Sequence, residues 1–135
     1  MTDRALLELA ARAGNVEIAF NNYKGEPFVR TNQNLPESCF VRPWSPRTDD
    51  GDAFRLALAA GISVLIDDDE DARCVTARYT LPGRFSPNSR LEDFRDHGDD
   101  KGAAARAAIW LAAIDIGAYI QFLATELGKQ SGETG

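Results

Sequence analysis

Ile62-Ser63-Val64-Leu65-Ile66 and, after an acidic turn from Asp67 to Asp71, Arg73-Cys74-Val75-Thr76-Ala77-Arg78-Tyr79 decide the fold. The first run is short and nearly continuously apolar, the pattern of a central strand. The second alternates: Cys74, Thr76 and Arg78 share one face, and Val75, Ala77 and Tyr79 the other. Together they predict an antiparallel hairpin. Upstream, Val16-Glu17-Ile18-Ala19-Phe20 alternates in the same way. Turn residues from Asn21 to Pro27 lead to a return strand at Phe28-Val29-Arg30-Thr31. A polar loop, Asn32-Gln33-Asn34-Leu35-Pro36, follows.

Helices frame these hairpins. Thr2 caps a helix expected from about Asp3 to Ala13, with Leu6, Leu9, Ala10 and Ala13 as its apolar stripe and Gly14 as its stop. A second helix is expected from Asp50 to Ala60, ended by Gly61. It is introduced by Arg42-Pro43-Trp44-Ser45-Pro46-Arg47-Thr48-Asp49. The two prolines hold that stretch extended, and Thr48 or Asp49 supplies the cap. Between Thr80 and Asp99 no periodicity is visible, which predicts a long surface loop. A long helix is then expected from about Asp100 to Leu127, with a polar, disordered tail over 129–135. The order helix, hairpin, helix, hairpin, helix predicts one α+β domain over residues 1–128. Its expected form is a small antiparallel sheet carrying helices in an α/β/α-type sandwich.

The chain has 135 residues, 44% hydrophobic and 27% charged, with a formal net charge of −6. That charge disfavours phosphate backbones and anionic membranes, so neither nucleic acid nor a membrane is an expected partner. Met1-Thr2-Asp3-Arg4 lacks the start of a signal peptide, and the expected location is the cytoplasm. Cys39 and Cys74 read as buried free thiols. The stretch from Ala107 to Thr125 has membrane-spanning length, but it is rich in alanine and carries Asp115. About seven strongly apolar residues at roughly −0.5 kcal/mol each barely offset a central Asp at roughly +3 kcal/mol. A buried helix fits it better.

Catalytic signals are few. The single His97 reads as a loop residue, and no nucleophile elbow, phosphate loop or dinucleotide turn is present. Three acidic groups, Asp49 to Asp52, Asp67 to Asp71 and Asp93 to Asp100, miss the spacing of a calcium loop, even at Asp96, Asp99 and Asp100. No metal, cofactor or catalytic residue is therefore assigned. Arg42, Trp44, Arg47, Thr48 and Asp49 are candidates for ligand or partner binding at the second helix's N-terminus. Trp44 has a second reading, as a staple onto that helix beside Phe54 or Leu58. On the long helix, Leu111, Asp115, Tyr119 and Phe122 share a side expected to meet either the second helix or a symmetry mate. The opposite side, Ile109, Ile116, Ile120 and Leu123, is expected to cover the sheet. A homodimer through the first of these sides is the expectation.

Trp-Ser-Pro-Arg-Thr-Asp at 44–49, the alanine-rich helix after it, the Ile62–Tyr79 hairpin and Asp-Asp-Lys-Gly-Ala-Ala-Ala-Arg-Ala-Ala-Ile-Trp at 99–110 resemble one family. It is the phage ABA-sandwich (NinX-like) group of small phage proteins. The likeness covers about residues 40 to 122. It implies a phage or prophage origin and a bacterial host cytosol, and carries no chemistry onto any residue. The expected role is binding without catalysis, to a host protein or to a second copy. A small-ligand or nucleotide-binding protein is the alternative, and a metal-dependent hydrolase the third reading.

Overall fold

The computed structural model describes residues 2–20, 25–30 and 40–133. Residues 21–24 and 31–39 lie outside the described residues, and with them the first part of the expected Asn21–Pro27 turn, the expected Asn32–Pro36 loop, Cys39 and any relation between Cys39 and Cys74. The fold is α+β: the described residues form two antiparallel three-stranded sheets and three α-helices. The expected single sheet is thus two.

Helix α1 spans Asp3–Ala13, and the Thr2 hydroxyl accepts the Ala5 amide proton at its start. Strands β1 (Ile18–Phe20) and β2 (Pro27–Arg30) form the upstream hairpin, with Ala19 opposite Phe28. Strand β3, Phe40–Pro43, joins this sheet antiparallel to β2. The start of the proline–tryptophan arm is therefore a paired strand, not a free arm. Pro43 has no N–H to donate, and it sits at the end of an outer strand, where none is required.

Helix α2 is Asp50–Ala60, ended by Gly61 at φ 73°, a left-handed conformation that glycine adopts without penalty. The second sheet has the order β4 (Ser63–Asp68), β5 (Arg73–Tyr79), β6 (Asn88–Asp93). The segment 80–99, expected as a loop, supplies β6 and a 3-10 turn at Phe94–His97. Asn88-Ser89-Arg90-Leu91-Glu92-Asp93 has too little apolar alternation to register as a strand. It is held instead by its ladder to β5, with Leu91 opposite Thr76. The apolar run of β4 lies at the sheet's edge, where a central strand was expected.

Helix α3 runs from Lys101 to Glu133, past Gly128 and beyond the expected end at Leu127. One glycine costs about 1 kcal/mol in a helix interior, and a helix already formed propagates through it. By length and composition Lys101–Gly128 is apolar enough to cross a membrane. Here it is the core element. Ala104, Ala108, Ala112 and Ala113 are fully buried, together with Ile109, Trp110 and Ile116. Its neighbours are Val75, Ala77 and Tyr79 from β5, Ala53, Leu56 and Ala57 from α2, and Ala10 and Ala11 from α1. Small residues set these distances. A Cβ on Gly117 would stand 1.9 Å from the Leu9 carbonyl oxygen, so α1 crosses α3 directly over this glycine. Both α1 and α2 cover α3, and α1 takes its closest approach.

Candidate functional site

The arm and the start of α2 are organised by one carboxylate. Asp52 is 3% exposed, the only buried charged side chain among the described residues. Its Oδ1 accepts from Arg42 Nη1 at 2.7 Å and from Arg55 Nη2 at 2.8 Å, and its Oδ2 accepts from the Ser45 amide at 2.9 Å. Burial alone would raise its pKa. The two guanidiniums and the amide outweigh that and hold it below the usual carboxylate value. The cap of α2 is Asp49, whose Oδ1 accepts the Asp52 amide proton at 2.8 Å. Thr48 is exposed in the preceding turn and does not cap. Trp44 is 3% exposed and sits in the core cluster with Leu56. It does not pack beside Phe54 or Leu58, which are 62% and 66% exposed, because α2 turns Ala53, Leu56 and Ala57 inward.

The five arm candidates therefore do not converge on one space. Arg42 and Trp44 line a cleft of about 560 Å³ with Arg55, Asn15 and Val29. Arg47 turns the other way. Its guanidinium lies over the Trp110 ring at 5.4 Å, beside a second cleft lined by Leu6, His97 and Leu111. Arg106 of α3 closes the arm down, donating to the Arg47 carbonyl at 3.0 Å and to Asp50 at 2.5 Å. The α2 N-terminus is thus occupied by side chains of the chain itself.

Asp115 is the second organising carboxylate. Its Oδ2 accepts from Tyr79 Oη at 2.5 Å and Arg90 Nε at 2.6 Å, and its Oδ1 from Arg90 Nη2 at 2.8 Å. The side of α3 carrying Asp115 is therefore the one that meets the sheet, the reverse of the expected assignment. Burial would raise the Asp115 pKa, but the Arg90 fork and the Tyr79 hydroxyl bring it below the usual value. Burial first, and then the carboxylate, push the Tyr79 hydroxyl up to about 12. Tyr119 accepts from Arg84 Nε at 3.2 Å, and Phe122 is 56% exposed. Of the four α3 candidates, Asp115 and Tyr119 hold partners within the chain.

The acidic groups serve the fold. Asp68 pairs with Lys101 and with Arg73, Asp99 pairs with Arg73 at 3.3 Å, and Asp100 accepts the Ala103 amide proton at 3.1 Å. Asp93 is lowered to about 2 by the Arg95 guanidinium and amide. His97 Nε2 lies 3.2 Å from Glu92. No group of three or more potential metal ligands is gathered among the described residues.

The outer half of the second sheet is what the sequence reading missed. Cross-strand register sets Leu65, Thr76 and Leu91 in one row on the face opposite Val75 and Ala77. Leu65 is 54% and Leu91 63% exposed, and beside them on β4 stand Val64 and Ile66 at 39% and 52%. Three consecutive large apolar side chains, Leu65 on the outer face and Val64 and Ile66 on the inner, thus stand exposed along an edge of β4 that no described strand pairs. The clean alternation of β5 was the available signal for this face. Finding it required knowing that the described residues leave Val64, Leu65 and Ile66 exposed.

Comparison with known proteins finds no matching family model, no matching curated protein and no matching solved structure.

Proposed function

We propose that this protein is a small phage or prophage accessory protein that acts in the bacterial cytoplasm by binding, to a host protein or to itself, and not by catalysis. The observation that supports the reading is the open side of the second sheet. The row Leu65–Thr76–Leu91 and the unpaired β4 edge present apolar groups and unused backbone donors and acceptors together. That combination suits addition of a strand from a partner, with the backbone giving affinity and the side chains giving selectivity.

A second reading, a small-ligand or nucleotide-binding protein, rests on the cleft lined by Arg42, Trp44 and Arg55. Both guanidiniums there are engaged by Asp52, which weakens their call on an anion. Thermal-shift screening separates the two readings. Under the binding reading, nucleotides, Mg²⁺ and Mn²⁺ leave the melting temperature unchanged. A nucleotide that raises it would favour the cleft, and a metal that raises it would favour the hydrolase, since a ligand of the native state stabilises it.

A further inference from the structure

The sequence of β4 and its position disagree. Ile62 to Ile66 is almost continuously apolar, as in strands covered on both faces, yet Val64, Leu65 and Ile66 are 39%, 54% and 52% exposed, and among the described residues β4 has β5 on one side only. The opposite edge is built differently. Strand β6 carries Arg90, Glu92 and Asp93 among its six residues, the charged character that protects an edge from pairing.

Resting on the binding reading above, we infer that β4 is the pairing edge of a symmetric homodimer. Ser63–Asp67 of one copy runs antiparallel to the same segment of the second, with Leu65 opposite Leu65. The two three-stranded sheets become one continuous sheet, and β4 becomes the central strand its sequence describes.

Symmetry and charge select the register. Facing residues must lie on the same face, so a two-fold axis through the ladder sets one residue opposite itself. Centring on Ile66 sets Leu65 against Asp67 and Val64 against Asp68. Centring on Val64 sets Gly61, the left-handed cap of α2, against Asp67 and draws the buried Ile62 into the ladder. Centring on Leu65 sets Val64 against Ile66 and Ser63 against Asp67, with no charge opposite an apolar group in that five-residue span.

The Leu65 register also brings opposite charges together. Arg78 neighbours Ser63 on the outer face, since the two are paired across β4 and β5. Arg78 is exposed, and neither it nor the Asp67 carboxylate has a hydrogen bond or ion pair among the described residues. In the dimer, Arg78 reaches over the small Ser63 to Asp67 of the second copy, across two strand spacings of about 4.8 Å each. Symmetry makes the pair twice. The same face gains a row running Leu91, Thr76, Leu65, Leu65, Thr76, Leu91.

Sedimentation of the full chain at high micromolar concentration should give about 29 kDa, twice 14.7 kDa. Arg78→Asp should return it to 14.7 kDa, and Arg78→Asp with Asp67→Arg should restore the dimer. A merely structural role for Arg78 would not give that rescue. In a Cys39→Ser, Cys74→Ser background, Leu65→Cys should trap a covalent dimer under mild oxidation, and Phe122→Cys should not. A wild-type chain that stays at 14.7 kDa overturns the dimer and leaves binding of a host protein standing. A dimer indifferent to Arg78→Asp and trapped by Phe122→Cys overturns the β4 interface while keeping self-association, and moves it to α3.

Discussion

The two faces of the second sheet come from the same strands and have opposite fates. On the inner face Val75 and Ala77 are fully buried and Tyr79 nearly so, under α3. On the outer face Leu65 and Leu91 are more than half exposed although they are larger and more apolar than Ala77. Burial here is decided by what covers a strand and not by how apolar the strand is. β4 shows this most sharply, since Val64 and Ile66 share the inner face and remain exposed. Helix α3 seals β5 but meets β4 far less closely, chiefly through Lys101 and Asp68 at the strand's end, and leaves Val64 and Ile66 exposed. The inner face should therefore carry stability and the outer face association, and each claim can be broken separately.

The largest effect is expected at the helix crossing that closes the inner side. Gly117→Val places atoms where the Leu9 carbonyl already stands, so α1 must leave α3. Loss of the cooperative melting transition is the expected result. A variant that melts like the wild type would mean the crossing is looser than its geometry.

Next is the carboxylate that ties α3 to the inner face. Asp115→Ala leaves Tyr79 and Arg90 without their acceptor. Breaking a fully buried pair costs about 3–5 kcal/mol, but Arg90 is half-exposed and can rehydrate, so about 2 kcal/mol is expected in denaturant unfolding. This node and the Asp52 node together set two pH limits. The Asp115 and Asp52 pKa values lie below their ordinary value in the folded state. Their contribution is present above the unfolded carboxylate pKa, near 3.8, and is lost as pH falls through the lower folded values. Tyr79 is raised from 10.0 to about 12, so its contribution is complete below pH 10 and is lost as pH rises from 10 to about 12. Unfolding midpoints across both ranges check the signs, and Asp115→Asn should flatten the alkaline limb.

A smaller effect tests the α2 cap. Asp49→Ala should cost about 1 kcal/mol, and Thr48→Ala should leave the denaturation midpoint unchanged. The reverse result would return the cap to Thr48.

The helix starts were legible in the sequence because capping is local: Thr2 and Asp49 each accept an amide three residues ahead. The arm was not, since its start is fixed by pairing with β2 and its ion pairs meet on Asp52. β5 was legible because its alternation is strict. β6 was not, since its apolar content is one leucine and its place is fixed by a ladder to another strand. Asp115 was legible as the charge on an otherwise apolar stretch. Its placement on the sheet was hidden because Tyr79 and Arg90 stand 36 and 25 residues away. The candidate surface was hidden for a related reason: a continuous apolar run signals a strand covered on both faces, and the described residues leave Val64, Leu65 and Ile66 exposed.

The smallest effect on stability is expected on the outer face. At dilution low enough for the chain to be monomeric, Leu65→Ser with Leu91→Ser should shift unfolding by no more than about 0.5 kcal/mol for each site, as exposed positions do. A loss of several kcal/mol would make this face part of the core and remove it as a binding surface.

Amide hydrogen exchange of the unmodified chain, dilute against concentrated, tests the central claim most directly. Exchange slows wherever a backbone amide gains a lasting hydrogen-bond partner. Pairing at β4 should add protection over 63–67 on concentration, with β6 and the exposed part of α3 around Phe122 unchanged. Protection that appears around Phe122 instead, or β4 amides that exchange alike at both concentrations, would contradict it.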